Sequence, residues 1–372
     1  MSKAIGIIAC NYRTDSLLGI AMDRPIAAVP FGGRYRLMDF ALSNMVNSGL
    51  RTVGIITPHL YRPILDHLGA GKDWYLDRKT GGMFILPGTR HGIYPRYRKF
   101  ALKDFVKNIE FLERDNADTI IISGCNNIFN LDYTSVLRNH EEKEADLTLI
   151  YKELDLEVEE DSYGVVLKVD ENNQVVGLEG VQSQVSKNVK YFADLIIMKT
   201  KLLRDILKGH EDNDDMDLMD VLEENIQSLK ILACPISGYF GRIFSIQSYF
   251  QRSMDMLNPS VRDELFMGTY RIHTKIKDNP PTKYGAWSSI KDSLVSSGCT
   301  IHGNVTRSIL FRGVQVEAEA RVSNCIIMQN CVIGKGAVLE NVILDKHGQI
   351  NTKSVIKGKN NLPVVLNKCS VV

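Results

Sequence analysis

The chain opens on runs of apolar residues that leave no polar face: Ala4-Ile5-Gly6-Ile7-Ile8-Ala9, then Val53-Gly54-Ile55-Ile56, Thr119-Ile120-Ile121-Ile122 and Leu147-Thr148-Leu149-Ile150. Strands buried on both sides of a parallel sheet have this form. Between the runs the period lengthens. Leu37, Ala41, Leu42, Met45 and Val46 recur at helix spacing and stop at Gly49, a suitable C-terminal cap, and Asp132 stands in capping position ahead of a helix through Val136 and Leu137. Alternating strands and helices over roughly the first 250 residues predict a doubly wound, Rossmann-like α/β domain.

Past Leu257 the pattern changes. Asn258-Pro259 and Asp278-Asn279-Pro280-Pro281 punctuate a stretch without strong helical periodicity, which reads as a connector. Apolar positions then fall at Val316, Val322 and Met328, shift by four, and continue at Val332, Val338, Leu344, Ile350 and Ile356. With Gly313, Gly334, Gly336 and Gly348 among them, this six-residue period is a hexapeptide repeat, the sequence form of a parallel β-helix. Ordinary hairpins are the bland alternative, and five consecutive matches to the period are hard to obtain from strand alternation. The predicted organisation is a domain over 1–257, a connector over 258–289 and a β-helix over 290–372.

Composition sharpens this little. A length of 372 residues with 44% hydrophobic content describes a globular protein with a sizeable core. The formal charge is +1, and no basic run is interleaved with aromatics, so neither nucleic acid nor an anionic membrane is an expected partner. Ala4 to Ala9 is too short for a signal-peptide core and no segment approaches a spanning helix, so a cytoplasmic location is expected. Seven cysteines, an odd number without a Cys-x-x-Cys pair, argue for buried free thiols over a disulfide framework or a zinc site.

Candidate chemistry centres on one block: Pro30-Phe31-Gly32-Gly33, Arg34-Tyr35-Arg36, then Asp39-Phe40-Ala41-Leu42-Ser43-Asn44. The block resembles the signature of the glucose-1-phosphate adenylyltransferases, which join ATP to glucose 1-phosphate. Similarity extends over nearly the whole chain, through Val53-Gly54-Ile55-Ile56-Thr57, Asp132-Tyr133, Tyr163-Gly164-Val165-Val166 and Asp292 to Cys299. It implies a nucleotidyltransferase (GT-A-like) first domain, a left-handed β-helix, magnesium chemistry and a tetramer.

An adenylyltransferase needs a glycine-rich turn around the triphosphate, cations on the phosphates and carboxylates holding magnesium. Measured against the family, each device is altered here. The two glycines after the first strand are Cys10 and Asn11, and the position of the phosphate-binding arginine carries Asp15. Ile26-Ala27 replaces a lysine and proline ahead of Ala28-Val29-Pro30-Phe31. The first metal aspartate is Cys125 and the second is Arg242; a neutral thiol is a poor magnesium ligand. Leu178-Glu179-Gly180-Val181-Gln182 offers no lysine for glucose phosphate, and Phe100-Ala101-Leu102-Lys103-Asp104 stands for the family's Gly-Thr-Ala-Asp-Ala turn.

Each position also has a bland reading. Cys10 and Cys125 suit small buried residues better than nucleophiles. Asp15 is solvated or caps a turn, Arg242 pairs with Asp220 or Glu223, and Asp39 and Asp132 are helix-associated structural carboxylates. In active relatives, arginines matching Arg24 and Arg36 contribute to an effector pocket between the domains, suited to phosphorylated effectors such as fructose bisphosphate or AMP. Here the preceding lysine is Asp23, and both arginines serve equally well as loop ties.

The pattern therefore resembles the GlgD-type branch of the family, a non-catalytic, regulatory partner of an active catalytic subunit, expected in a heterotetramer with no cofactor of its own. Two competitors remain: a weakly active adenylyltransferase that recruits Asp39 or Asp132 to magnesium, and a hexapeptide acyltransferase using His302 or His347.

Overall fold

A computed structural model describes residues 3–11, 15–89, 99–156, 164–181, 186–210, 216–359 and 362–372, without the side chains of residues 15, 16, 18, 115, 156 and 186. The apolar runs pair as one nine-stranded sheet. Ala4–Ala9 lies between Thr52–Thr57 and Thr119–Ser123, parallel to both, and Gly82–Pro87 extends the parallel edge. Ser186–Lys199 runs antiparallel beside Thr119–Ser123 and, further back along the same edge, beside Val165–Val169, and it carries Leu147–Leu156 on its other side. The sheet is thus mixed, its parallel half matching the runs that lack a polar face.

Both faces of that half are covered. Ile5, Ile7, Ile120 and Ile122 point into one core with Phe100, Phe105 and Leu203. Ile8, Ile121, Val53 and Ile55 point into a second, where the helix Met38–Asn47 packs. The N-cap of the helix Thr134–Glu142 is Tyr133, which makes no side-chain cap bond; Asp132, one place earlier than expected of a cap, accepts from Thr134 N at 3.0 Å.

The connector begins with Pro259–Arg262, capped by Asn258, passes through a π-helical turn at Asp263–Met267, then runs extended across the helix Met38–Asn47. There Ser43 Oγ accepts from His273 N at 2.8 Å and Asn47 Nδ2 donates to Arg271 O at 2.9 Å. Phe266 stacks on Tyr35 with ring centres 5.0 Å apart.

The second domain is a left-handed parallel β-helix of three five-stranded sheets, whose stacking begins at Lys283–Tyr284 against Thr300–Ile301. Its interior columns are Ile301-Val316-Ile333-Ile350, Ile290-Val305-Val322-Leu339-Ile356 and Val295-Leu310-Ile327-Leu344-Leu366. Through the middle of the coil one turn advances 17 residues, as from Val322 to Leu339 to Ile356, so there one side of the triangle is a residue short of six; an earlier turn, as from Ile301 to Val316, advances 15. That explains the break in the hexapeptide period and corrects it: the interior residues are Ile327, Ile333 and Leu339, each one place from Met328, Val332 and Val338.

Met328 is fully buried all the same, on the outside of the coil. With Ile309, Phe311, Ile326 and Ile343 it joins the core of the first domain, so the two domains share a hydrophobic seam. Gly33 (φ +83°) lies on that seam, where a Cβ would sit 2.7 Å from Ser296 Oγ; Ser296 Oγ donates to Gly33 O at 2.9 Å. At its centre the Arg24 guanidinium meets Asp345 through two bonds, Nη1 to Oδ1 at 2.9 Å and Nη2 to Oδ2 at 2.8 Å, with both side chains at most 5% exposed.

Removing one partner of such a pair strands the other charge away from water, which typically costs about 3–5 kcal/mol. Asp345→Asn is therefore expected to lower unfolding stability by about that much in urea titration. Arg24→Met with Asp345→Leu is expected to recover most of it. Equal stability of the wild type and Asp345→Asn would show that the pair does not hold the seam.

Candidate functional site

The ends of Ala4–Ala9 and Thr119–Ser123 bring the altered positions together. Register pairs Ile8 with Ser123. Two residues further on, Cys10 and Cys125 lie side by side, fully buried and in hydrogen-bond contact through their sulfurs. That contact and burial push the Cys10 thiol well above its ordinary pKa. The first metal position is thus occupied by a buried pair of free cysteines.

Asn11, where the turn should expose backbone to phosphate, is buried and fills the space itself. Its Nδ2 donates to Thr89 O and to Asp104 Oδ2, both at 2.9 Å, and Asp104 Oδ1 in turn accepts from Thr89 N at 2.7 Å and Thr89 Oγ1 at 2.6 Å. A side chain has taken the donors' role inward. The Asp15 side chain, residues 12–14, Tyr163 and Gln182 lie outside the described residues. Ile26 is a core residue in the turn Ile26–Ala28, and Val181 ends the strand Val175–Gly180 half-buried, its N–H donating to Gly164 O at 3.0 Å.

At the second metal position, Gly241–Arg242 pairs antiparallel with Asn127–Ile128. The Arg242 guanidinium lies over the Tyr191 ring at 3.8 Å and near Phe244 at 5.0 Å. Asp220, a partner expected from sequence, closes a capping box with Asp217 at the helix Leu218–Glu224.

Between these positions is an ion pair that sequence reading missed. Lys99 Nζ bonds to Asp194 and, at 3.1 Å, to Asn126 Oδ1; Asn127 Nδ2 donates to Asp194 Oδ2 at 2.8 Å. Burial lowers the Lys99 pKa, but Asp194 and Tyr191 together outweigh it and the net shift is upward, so Lys99 keeps its charge. Asp194 holds φ +57°, uncommon for a residue other than glycine, and its carbonyl accepts from Gly124 N at 2.8 Å. No sequence signal marked Asp194, whose partners lie 67 and 95 residues away.

These groups do not suit magnesium: a guanidinium repels the ion, and the nearest carboxylate is already held by a lysine and an amide. Among the described residues no three His, Cys, Asp or Glu side chains group to hold a metal. Asp39 and Asp132 do not supply a relocated pair. Asp39 is fully buried, accepting from Arg36 N at 2.9 Å and lying 2.6 Å from His67 Nε2, while Asp132 takes Thr134 and Tyr270. Of the two β-helix histidines, His347 is exposed on a left-handed turn and His302 is half-buried beside Gly285.

Comparison with known proteins places this geometry. Residues 14–180 match the nucleotidyl transferase family, and residues 280–361 match the GlmU-like C-terminal hexapeptide family. Glycogen biosynthesis protein GlgD of Bacillus subtilis is 33% identical over 368 residues, 99% of this chain and 96% of the relative. The chain belongs to the GlgD family. A second GlgD, from Geobacillus stearothermophilus, is 34% identical over 315 residues, covering 85% of this chain and 81% of its own. Glucose-1-phosphate adenylyltransferase of Bacillus thuringiensis is 28% identical over 369 residues, 98% and 97% of the two chains. No helix among the described residues is long and apolar enough to cross a membrane.

In this GlgD-family chain the two arginines singled out from sequence lie on one seam but differ in engagement. Arg24 is committed to Asp345. Arg36 donates to Pro63 O at 2.5 Å, and burial, ahead of its charged neighbours, lowers its pKa to about 10. Lys346, next to Asp345 in sequence, is pushed down to about 7 by burial and then by Arg36 and Arg24. Arg36 thus stands between the cations Arg24 and Lys346 and the carboxylates of Asp39 and Asp66, a setting that sequence reading did not attach to Lys346.

The closed network predicts that the isolated chain does not bind MgATP: calorimetric titration should show no saturable heat at millimolar nucleotide. Saturable, magnesium-dependent binding would mean that the substituted residues still form a nucleotide site.

Proposed function

We propose that the protein is a regulatory, catalytically degenerate partner of a glucose-1-phosphate adenylyltransferase in glycogen biosynthesis, acting in the cytoplasm within a heterotetramer. The observation that carries the reading is the replacement of both metal carboxylates by Cys125 and Arg242, each packed against protein groups. Removing one electrostatic contact to developing charge typically slows an enzyme about a hundredfold or more, and several are gone together.

A partner without chemistry still regulates if it contacts the two states of an active subunit with unequal energy. We assign that difference to the seam. Because Arg24 is paired with Asp345, phosphate contact falls to Arg36, with Lys346 beside it, and a bound dianion would relieve their mutual repulsion. Open coil ends and the flanks of the β-helix supply an assembly surface.

Mixing the purified chain with the active subunit from the same cell tests the proposal. Co-elution with an altered substrate or effector curve is expected; separate elution with unchanged kinetics would defeat it. Truncation after Pro281 should abolish co-elution, and an unchanged oligomer by light scattering would remove the β-helix from the interface.

For the effector, Arg36→Glu should abolish the response to fructose bisphosphate or AMP in mixed oligomers while leaving assembly and basal activity in place. The response should also weaken as pH rises through about 7, where Lys346 loses its proton. A dose-response curve identical to wild type would exclude Arg36 as a ligand.

A further inference from the structure

The proposed role leaves the thiol pair unexplained. Two of the chain's seven cysteines have replaced, independently in sequence, a glycine of the first turn and a metal aspartate, 115 positions apart, yet the fold sets them side by side. Neighbouring strands are about 4.8 Å apart, within the separation that a disulfide spans without backbone movement. Their sulfurs are in contact and both are wholly buried, unlike the exposed Cys369. The other interior thiols have been given backbone acceptors instead: Cys299 Sγ donates to Phe311 O at 3.1 Å, Cys325 Sγ to Ser323 O at 3.1 Å and Cys331 Sγ to Asp345 O at 3.0 Å.

We propose that Cys10 and Cys125 are an oxidative modification site, a dithiol that closes to an intramolecular disulfide under hydrogen peroxide. One sulfur attacks the peroxide and becomes a sulfenic acid, releasing one water. The second thiol then displaces the hydroxyl as a second water while the S–S bond forms, so the two electrons lost by sulfur reduce the O–O bond. Because burial and the neighbouring sulfur hold the Cys10 thiol above its ordinary pKa, its thiolate is scarce at neutral pH and its attack is slow, as befits a response to oxidant load. The bond ties the first turn to the loop 124–127, fixing the part of the site that faced nucleotide in active relatives. It depends on the strand register and the sulfur contact, independently of any regulatory role.

The test uses the full-length wild-type protein, exposed to hydrogen peroxide, denatured, alkylated and digested for mass spectrometry. A linked Cys10–Cys125 peptide should accumulate, two of the seven titratable thiols should be lost, and dithiothreitol should restore both. Cys10→Ser and Cys125→Ser should each abolish that linked peptide. Recovery of Cys10 and Cys125 as alkylated thiols or as separate sulfinic acids, while Cys369 is oxidised, would overturn the proposal. So would a disulfide joining either of them to another cysteine.

Discussion

The two domains are one unit because an ion pair is buried between them. Arg24 sits just ahead of the Pro30 to Asn44 block, and Asp345 follows the interior Leu344 of the β-helix, so the pair forms only when the two domains are docked. Around it, Met328, Phe311 and Ile343 enter the core that also buries Phe31 and Met256. Desolvating both charges is costly, and what the bidentate geometry gains over an apolar seam is a single docking position. Arg36, Lys346 and the Gly33 turn take their places from it.

The sheet end where the altered family positions meet is filled and internally paired. Asn11 is satisfied by Asp104 and Thr89, Lys99 by Asp194 and Asn126, and Arg242 lies on aromatic faces. An active site keeps donors and charges unsatisfied until substrate arrives. Here the protein supplies its own counter-groups, so the cleft no longer stores interactions for phosphate or metal to complete.

Sequence made the sheet legible because its parallel half is buried on both faces, which forces apolar runs such as Ala4 to Ala9. It made the β-helix legible through stacking but misplaced Met328, Val332 and Val338, because a coil of 17 residues cannot keep a strict period of six. Met328 also misled because the seam, as well as the coil interior, demands apolar side chains. At the site, the lost residues could be read one by one against a known pattern. What replaced them could not, since Asp194 acts through Lys99 and Asn127, far away in the chain. The choice between tie and ligand for Arg24 likewise needed Asp345, which no local pattern singles out.

The central claim is that this chain contributes contacts and no catalytic site. It is tested most directly by assembling the chain with an adenylyltransferase subunit whose own metal-binding aspartates have been replaced, confirming stoichiometry and measuring ADP-glucose formation with saturating ATP, glucose 1-phosphate and magnesium. Synthesis is predicted to stay at the background of the disabled subunit. Chelator-sensitive formation of ADP-glucose above that background would show that the chain carries a working site and contradict the account.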